Sequence, residues 1–295
     1  MSGEVTDRLA ALAPSEQSLV GYLFWMSRPR FWLYLAGPVI VGVVYASESP
    51  AQFFSLPAVL AFLYFLVPAN VFLYGVNDIY DANADAHNPK KDEEGREVRY
   101  GGDAIVVMVV FLATGVGIFL VPFLPMEGMY ALMGFYALGT QYSAPPLRLK
   151  TTPLLDSLSN GLYVLPGVVA YAAIAGGFPP LLAVGGGWLW TMAMHTFSAI
   201  PDIEPDRAAG IRTTATVLGQ RGALVYCAGC WLLAAVVMGL LHPFLGVVFG
   251  GYPLFVGAIR ALDVDIDRAY WWFPLVNTVA GMVLTMGGIW VVVYG

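Results

Sequence analysis

The amino-acid sequence predicts an all-α integral membrane protein of nine transmembrane helices, and three observations lead there. Of 295 residues, 58% are hydrophobic and 12% charged, with a mean hydropathy of +0.70, where soluble chains carry roughly a quarter charged residues. Apolar runs of about twenty residues, the length that crosses a bilayer, recur between charged or Pro/Gly-rich breaks. The 14 Lys and Arg residues fall only in alternate connections, the asymmetry expected of loops kept in the cytoplasm.

Residues 1–20 lack the basic stretch followed by a short apolar core that marks a cleavable signal, so they read as a cytoplasmic tail, and 21–295 as a single transmembrane domain. Spans are expected near 21–47, 51–80, 103–122, 126–145, 153–175, 181–203, 222–242, 244–262 and 271–293. Arg8, Arg28 and Arg30 precede or open the first. Lys90, Lys91, Arg96 and Arg99 follow the second, Arg148 and Lys150 the fourth, Arg207, Arg212 and Arg221 the sixth, and Arg260 and Arg268 the eighth. The other connections, S-E-S-P, P-F-L-P-M-E-G, G-G-F-P-P and L-H-P-F, carry no Lys or Arg. The N-terminus and the charged loops therefore belong in the cytoplasm and the C-terminus outside, in a multi-pass protein of the cell membrane.

Nearly all carboxylates share the basic face, so the chemistry is expected at one membrane surface. The second span ends in V-N-D-I-Y-D-A-N-A-D, whose Asp78, Asp81 and Asp85 lie at i, i+3 and i+7 on one helix face beside Asn77. Three acids on one stripe repel each other and call for a cation. Oxygen-only donors suit a hard ion such as Mg²⁺, which typically bridges carboxylates to substrate phosphates. The sixth span ends in P-D-I-E-P-D-R, which puts Asp202 and Asp206 at i and i+4. Four spans separate the two acidic ends, which restores the direction through the bilayer. The layout suggests two pseudo-repeated four-helix halves around a central cavity.

Two facing carboxylate clusters could clamp a diphosphate through Mg²⁺ and favour its departure from an allylic carbon. Adjacent cations, Lys90, Lys91, Arg96, Arg99, Arg148, Lys150, Arg207 and Arg212, are suited to the phosphate oxygens. Tyr74 and Asn70 stand one and two turns before Asp78, and His195 stands seven residues before Asp202, so these three are expected to face the cavity. An aromatic face stabilises a cation without offering a nucleophile. For His195 a structural hydrogen bond is an equal alternative, and for His87 and His242 the structural reading is preferred. The net charge of −6 argues against nucleic acid as a partner. Cys227 and Cys230, as C-A-G-C in an apolar run, read as packing residues.

N-D-I-Y-D-A-N-A-D, D-I-E-P-D-R-A-A-G and Q-Y-S-A-P-P-L-R-L-K, in that order on alternate loops, resemble the three motifs of the UbiA superfamily of intramembrane prenyltransferases. The resemblance implies a UbiA-type helical bundle. It also implies Mg²⁺ held by Asp78, Asp81, Asp85, Asp202 and Asp206, with Asp78, Asp81, Asp202 and Asp206 catalytic. Asn77 is implied at the Mg²⁺-diphosphate, and Tyr142, Arg148 and Lys150 at the diphosphate or in closing the site. Three longer stretches, around S-R-P-R-F-W-L-Y-L-A-G-P, D-A-H-N-P-K-K-D and S-A-I-P-D-I-E-P-D-R, look like the lycopene elongase/hydratase branch of that superfamily. That branch implies dimethylallyl diphosphate as donor, a lipophilic polyene as acceptor and hydration of the product, amid membrane lipids. The residues themselves leave other acceptors open: a quinone precursor, a haem-type ring or geranylgeranylglyceryl phosphate. An ion-coupled transporter would place its acids near midspan rather than at helix ends.

Overall fold

The computed structural model describes residues 18–85 and 100–295, except for the side chains of 83–85. Among these residues the secondary structure is helical throughout, in nine consecutive legs. The first leg is α1 (Leu19–Met26) and α2 (Trp32–Ala46); the second is α3 (Leu56–Leu66) and α4 (Pro68–Asp85). The third is α5 (Ala104–Gly115), continued as a 3₁₀ stretch over Val116–Phe123, and the fourth is α6 (Met126–Ser143). The fifth comprises α7 (Leu155–Leu158), a 3₁₀ turn Ser159–Tyr163 and α8 (Leu165–Ala175). The sixth is α9 (Leu181–Ser198), followed by a 3₁₀ turn Ile200–Asp202 and α10 (Ile203–Ala208). The last three are α11 (Thr214–Leu241), α12 (Pro243–Ala261) and α13 (Ile266–Tyr294).

Seven legs are long and apolar enough to cross a membrane; α6 and α9 fall short of the nine expected. The reason is chemical. These two helices carry Glu127, Gln141, Tyr142 and Ser143, and Thr191, His195 and Thr196, which dilute their hydropathy. Boundaries also move: the seventh leg starts at Thr214 rather than near 222, and the ninth at Ile266 rather than near 271. In both cases a capping side chain, Thr213 or Asp265, begins the helix before the apolar run does.

The legs nearest the polar end are broken by sequence. Pro29 has no N–H and disfavours helix at the residue before it, and Arg28 accordingly takes a left-handed backbone (φ 51°) between α1 and α2. Pro68 breaks the second leg after Val67. The Asn70 amide donates to the Phe65 and Leu66 carbonyls at 3.0 and 2.9 Å, satisfying groups that the break would orphan. In α11 the kink falls at Gly219 (φ 66°, ψ 170°), a conformation that glycine adopts without strain.

Two apolar cores hold the bundle. One joins α2, α3, α4, α6 and α8 around Phe65, Phe135 and Val169; the other joins α9, α11, α12 and α13 around Phe197, Trp231 and Phe273. Cys227 and Cys230 are unbridged and buried in the second core, as their setting predicted. The α2–α8 crossing is set by two glycines, because a Cβ on Gly42 would lie 2.2 Å from the Gly167 carbonyl oxygen. Backbone meets backbone there, as small residues permit between membrane helices. Gly42→Val is therefore expected to destabilise the solubilised protein by at least about 2 kcal/mol. Gly37→Ala on the same helix, where no atom lies within 4 Å, should leave it unchanged. Thermal unfolding in detergent tests the pair.

Candidate active site

The polar end of α4 is where charge converges. Ser143, the last residue of α6, donates its hydroxyl to Asn77 Oδ1 at 2.7 Å, and Lys150 Nζ donates to the same oxygen at 3.0 Å. Lys150 also pairs with Asp81 Oδ2, while Arg148 reaches Asp81 Oδ1 at 3.2 Å. Asp78 is 2% exposed and pairs with Arg28 at 3.4 Å. The Asn77 oxygen thus has two donors, which leaves its NH₂ to give.

Arg28 and Arg148 arrive by the same local device. Each has a left-handed backbone (φ 51° and 41°) and each precedes a 3₁₀ turn, Pro29–Phe31 or Leu149–Thr151. Sparsely populated backbone of this kind persists where the surroundings over-determine it. Here it turns two guanidiniums onto the acidic helix. Sequence reasoning placed Arg28 in the topology signal alone; the proline after it was the available sign of a turn.

Above the charges stands an aromatic wall. Arg28 lies over the Tyr74 ring, 4.6 Å from its centroid. Phe31 touches both Tyr74 and Tyr34, and Tyr34 meets Tyr163 edge to face at 6.3 Å. Tyr142 packs edge to face on His195 at 5.9 Å, joining α6 to α9. His195 Nε2 in turn lies 3.7 Å from Asp156 Oδ2, a fully buried carboxylate on α7 that composition did not flag. Asp156 accepts from the Thr214 backbone N–H at 2.8 Å and from the Thr214 hydroxyl, at the N-terminus of α11. An acid inside an apolar segment was its available signal.

Asp202 and Asp206 are half-buried, on the 3₁₀ turn and on α10, so that a tight turn rather than a plain continuation of α9 carries the first. Arg207 does not point to a phosphate site: it donates to the Thr216 carbonyl at 3.2 and 2.7 Å and pairs with Glu204 at 3.0 Å. That carbonyl sits one turn before the Gly219 kink. Arg212 is exposed. Asn70 spends its amide on the α3–α4 break. Lys90, Lys91, Arg96, Arg99 and the Asp85 side chain lie outside the described residues.

Among the described residues no three Asp, Glu, His or Cys side chains converge tightly enough to form a metal site by themselves. The donor set nonetheless fits a hard divalent ion. Asp78 and Asp81 offer oxygens only, they are largely withdrawn from solvent, and their charges are met by Arg28, Arg148 and Lys150.

The chain is similar to several known proteins. A profile described as the UbiA prenyltransferase family matches residues 35–279. A protein named lycopene elongase/hydratase from Haloarcula japonica is 58% identical over 290 residues, 98% of each chain. One of the same name from Halobacterium salinarum is 60% identical over 275 residues, 93% of this chain and 99% of the other. In fold, the chain is similar to a UbiA homolog from Archaeoglobus fulgidus bound to GPP and Mg²⁺, with a TM-score of 0.73 at 20% identity, over 90% of this chain and 99% of that one.

Proposed function

The chain belongs to the UbiA prenyltransferase family, and on that premise we propose that it is a lycopene elongase/hydratase. It transfers the prenyl group of dimethylallyl diphosphate to the ends of lycopene and hydrates the product, towards carotenoids of the bacterioruberin type. The acceptor rests on relatives of that name at 58% and 60% identity over nearly their full lengths. The reaction class is carried by one geometric observation: Lys150 and Arg148 lie on Asn77 and Asp81 at the end of a membrane helix. Carboxylates and cations meeting there can receive a metal-bound diphosphate and little else of comparable charge.

Mg²⁺, with Asp78, Asp81, Asp85, Asp202 and Asp206 as its proposed ligands, would neutralise the diphosphate as it leaves. With Asp81 engaged by the ion, Lys150 and Arg148 would be placed to donate to phosphate oxygens. The Asn77 NH₂ adds a neutral donor, and Lys91, Arg99 and Arg212 are proposed to cover the outer oxygens. Tyr142 closes the site on its α6 side. The ring faces of Tyr34, Tyr74 and Tyr163 border the space where the allylic cation forms. They hold it by their quadrupole and offer no basic atom to quench it. His195 lies beyond Tyr142 at the edge of that space.

The same reading makes all nine legs membrane spans in two pseudo-repeated halves, since α6 and α9 are polar where they carry site residues. It places the N-terminus and the acidic ends in the cytoplasm, as the Lys and Arg distribution supports. Production in a lycopene-making host is expected to convert lycopene to longer, hydroxylated carotenoids, read by mass and absorption of the extracted pigments. Lycopene left unchanged beside well-folded protein overturns the proposed acceptor.

A further inference from the structure

Joining a prenyl cation to a terminal double bond of lycopene leaves a tertiary cation one carbon from the new bond. That cation has two exits. A neighbouring carbon can lose a proton and give an alkene, or water can add and lose a proton to give an alcohol. Hydration therefore needs a water beside the cation and a base that takes the water's proton.

We infer that His195, oriented by Asp156, is that base; the inference rests on the lycopene elongase/hydratase reading. The pair stands apart from the acidic motifs. Asp156 is fully buried, and a carboxylate in an apolar segment is costly unless it is held and used. It is held by the Thr214 N–H at 2.8 Å and by the Thr214 hydroxyl. Its position at the N-terminus of α11 also favours the negative charge. An anion so fixed, 3.7 Å from Nε2, favours a proton on the ring nitrogen that faces it, which would leave Nδ1 as the proton acceptor.

Position agrees with the chemistry. Tyr142 lies against the His195 ring, and the next residue, Ser143, bonds Asn77 in the diphosphate site. His195 is thus one aromatic ring removed from the Asn77 cluster proposed to receive the donor. Tyr142, flanking the imidazole edge to face, offers it no ionic partner. Thr196 and Ser157, the next residue along from each member of the pair, bond one another at 3.2 Å and brace both helices.

The step balances. A water oxygen forms the C–O bond to the tertiary carbon, one of its protons passes to His195 Nδ1, and Asp156 stabilises the resulting imidazolium. That proton later leaves to solvent or to the departing diphosphate.

The test uses the full chain in a lycopene-making host, with His195→Gln and Asp156→Asn compared with the unaltered protein and each variant checked for monodispersity in detergent. The readout is the hydroxylated share of the elongated carotenoids, with ¹⁸O-water incorporation in membrane preparations. In the variants that share is expected to fall at least about tenfold, while prenyl transfer continues and the dehydrated, elongated alkene accumulates. An unchanged hydroxylated share, or loss of both products together in two well-folded variants, assigns the pair a structural role and overturns the inference. Absence of any elongated product from the unaltered protein overturns the underlying reading instead.

Discussion

Asp78→Ala will lower kcat/KM for prenyl transfer by at least about 10³-fold, since a metal at a developing charge contributes several kcal/mol to the transition state. Asp78 is more enclosed than Asp81, 2% against 12% exposed, and its partner Arg28 lies at 3.4 Å. Removing it would take away a proposed metal oxygen and leave the Arg28 guanidinium beside the proposed ion site. Asp78→Asn keeps the shape but lacks the charge, and is expected to fall by a similar factor. Exposed Asp267, at the start of α13, supplies the control: Asp267→Ala should retain full turnover. Initial rates with dimethylallyl diphosphate at saturating Mg²⁺ decide it. A residual rate above a tenth in well-folded Asp78→Ala would remove this carboxylate from the machinery.

Lys150→Met will weaken use of the donor by about 10- to 100-fold, the range of one charge-assisted hydrogen bond of 1.5–3 kcal/mol. Methionine preserves the stem and removes the ammonium that bridges Asn77 and Asp81. Asp81 keeps Arg148 at 3.2 Å, so the helix end retains a counter-ion and the protein should fold. The loss is expected in KM for the diphosphate more than in kcat. Lys150→Arg should restore only part, because a planar fork does not match two oxygens that converge on a point charge. An unchanged KM in Lys150→Met would show that the ammonium only neutralises Asp81.

Sequence reasoning reached the acidic helix end because its signal is local: three acids at i, i+3 and i+7 share a face of any helix. The Y-S-A-P-P-L-R-L-K loop was legible for the same reason, and the structure adds which atoms Arg148 and Lys150 grip. Asn70 misled the helical-face argument. Spacing put it in line with Asp78, but the break at Pro68 turns its amide to backbone carbonyls. Arg207 misled the charge argument, since the kink at Gly219 gives it a carbonyl to bind.

Composition, the period of apolar runs, the placement of Lys and Arg and the acidic spacing by themselves determined a multi-pass helical protein with an acidic helix end. Each is a one-dimensional consequence of a bilayer that excludes charge and of a helix with 3.6 residues per turn. Only the tertiary structure decided that Arg28 belongs to Asp78, that Asp156 belongs to His195, and that Tyr142 packs on His195. Those pairs lie 50, 39 and 53 positions apart in the chain. No periodicity carries such distances; they follow from which helices pack against one another in three dimensions.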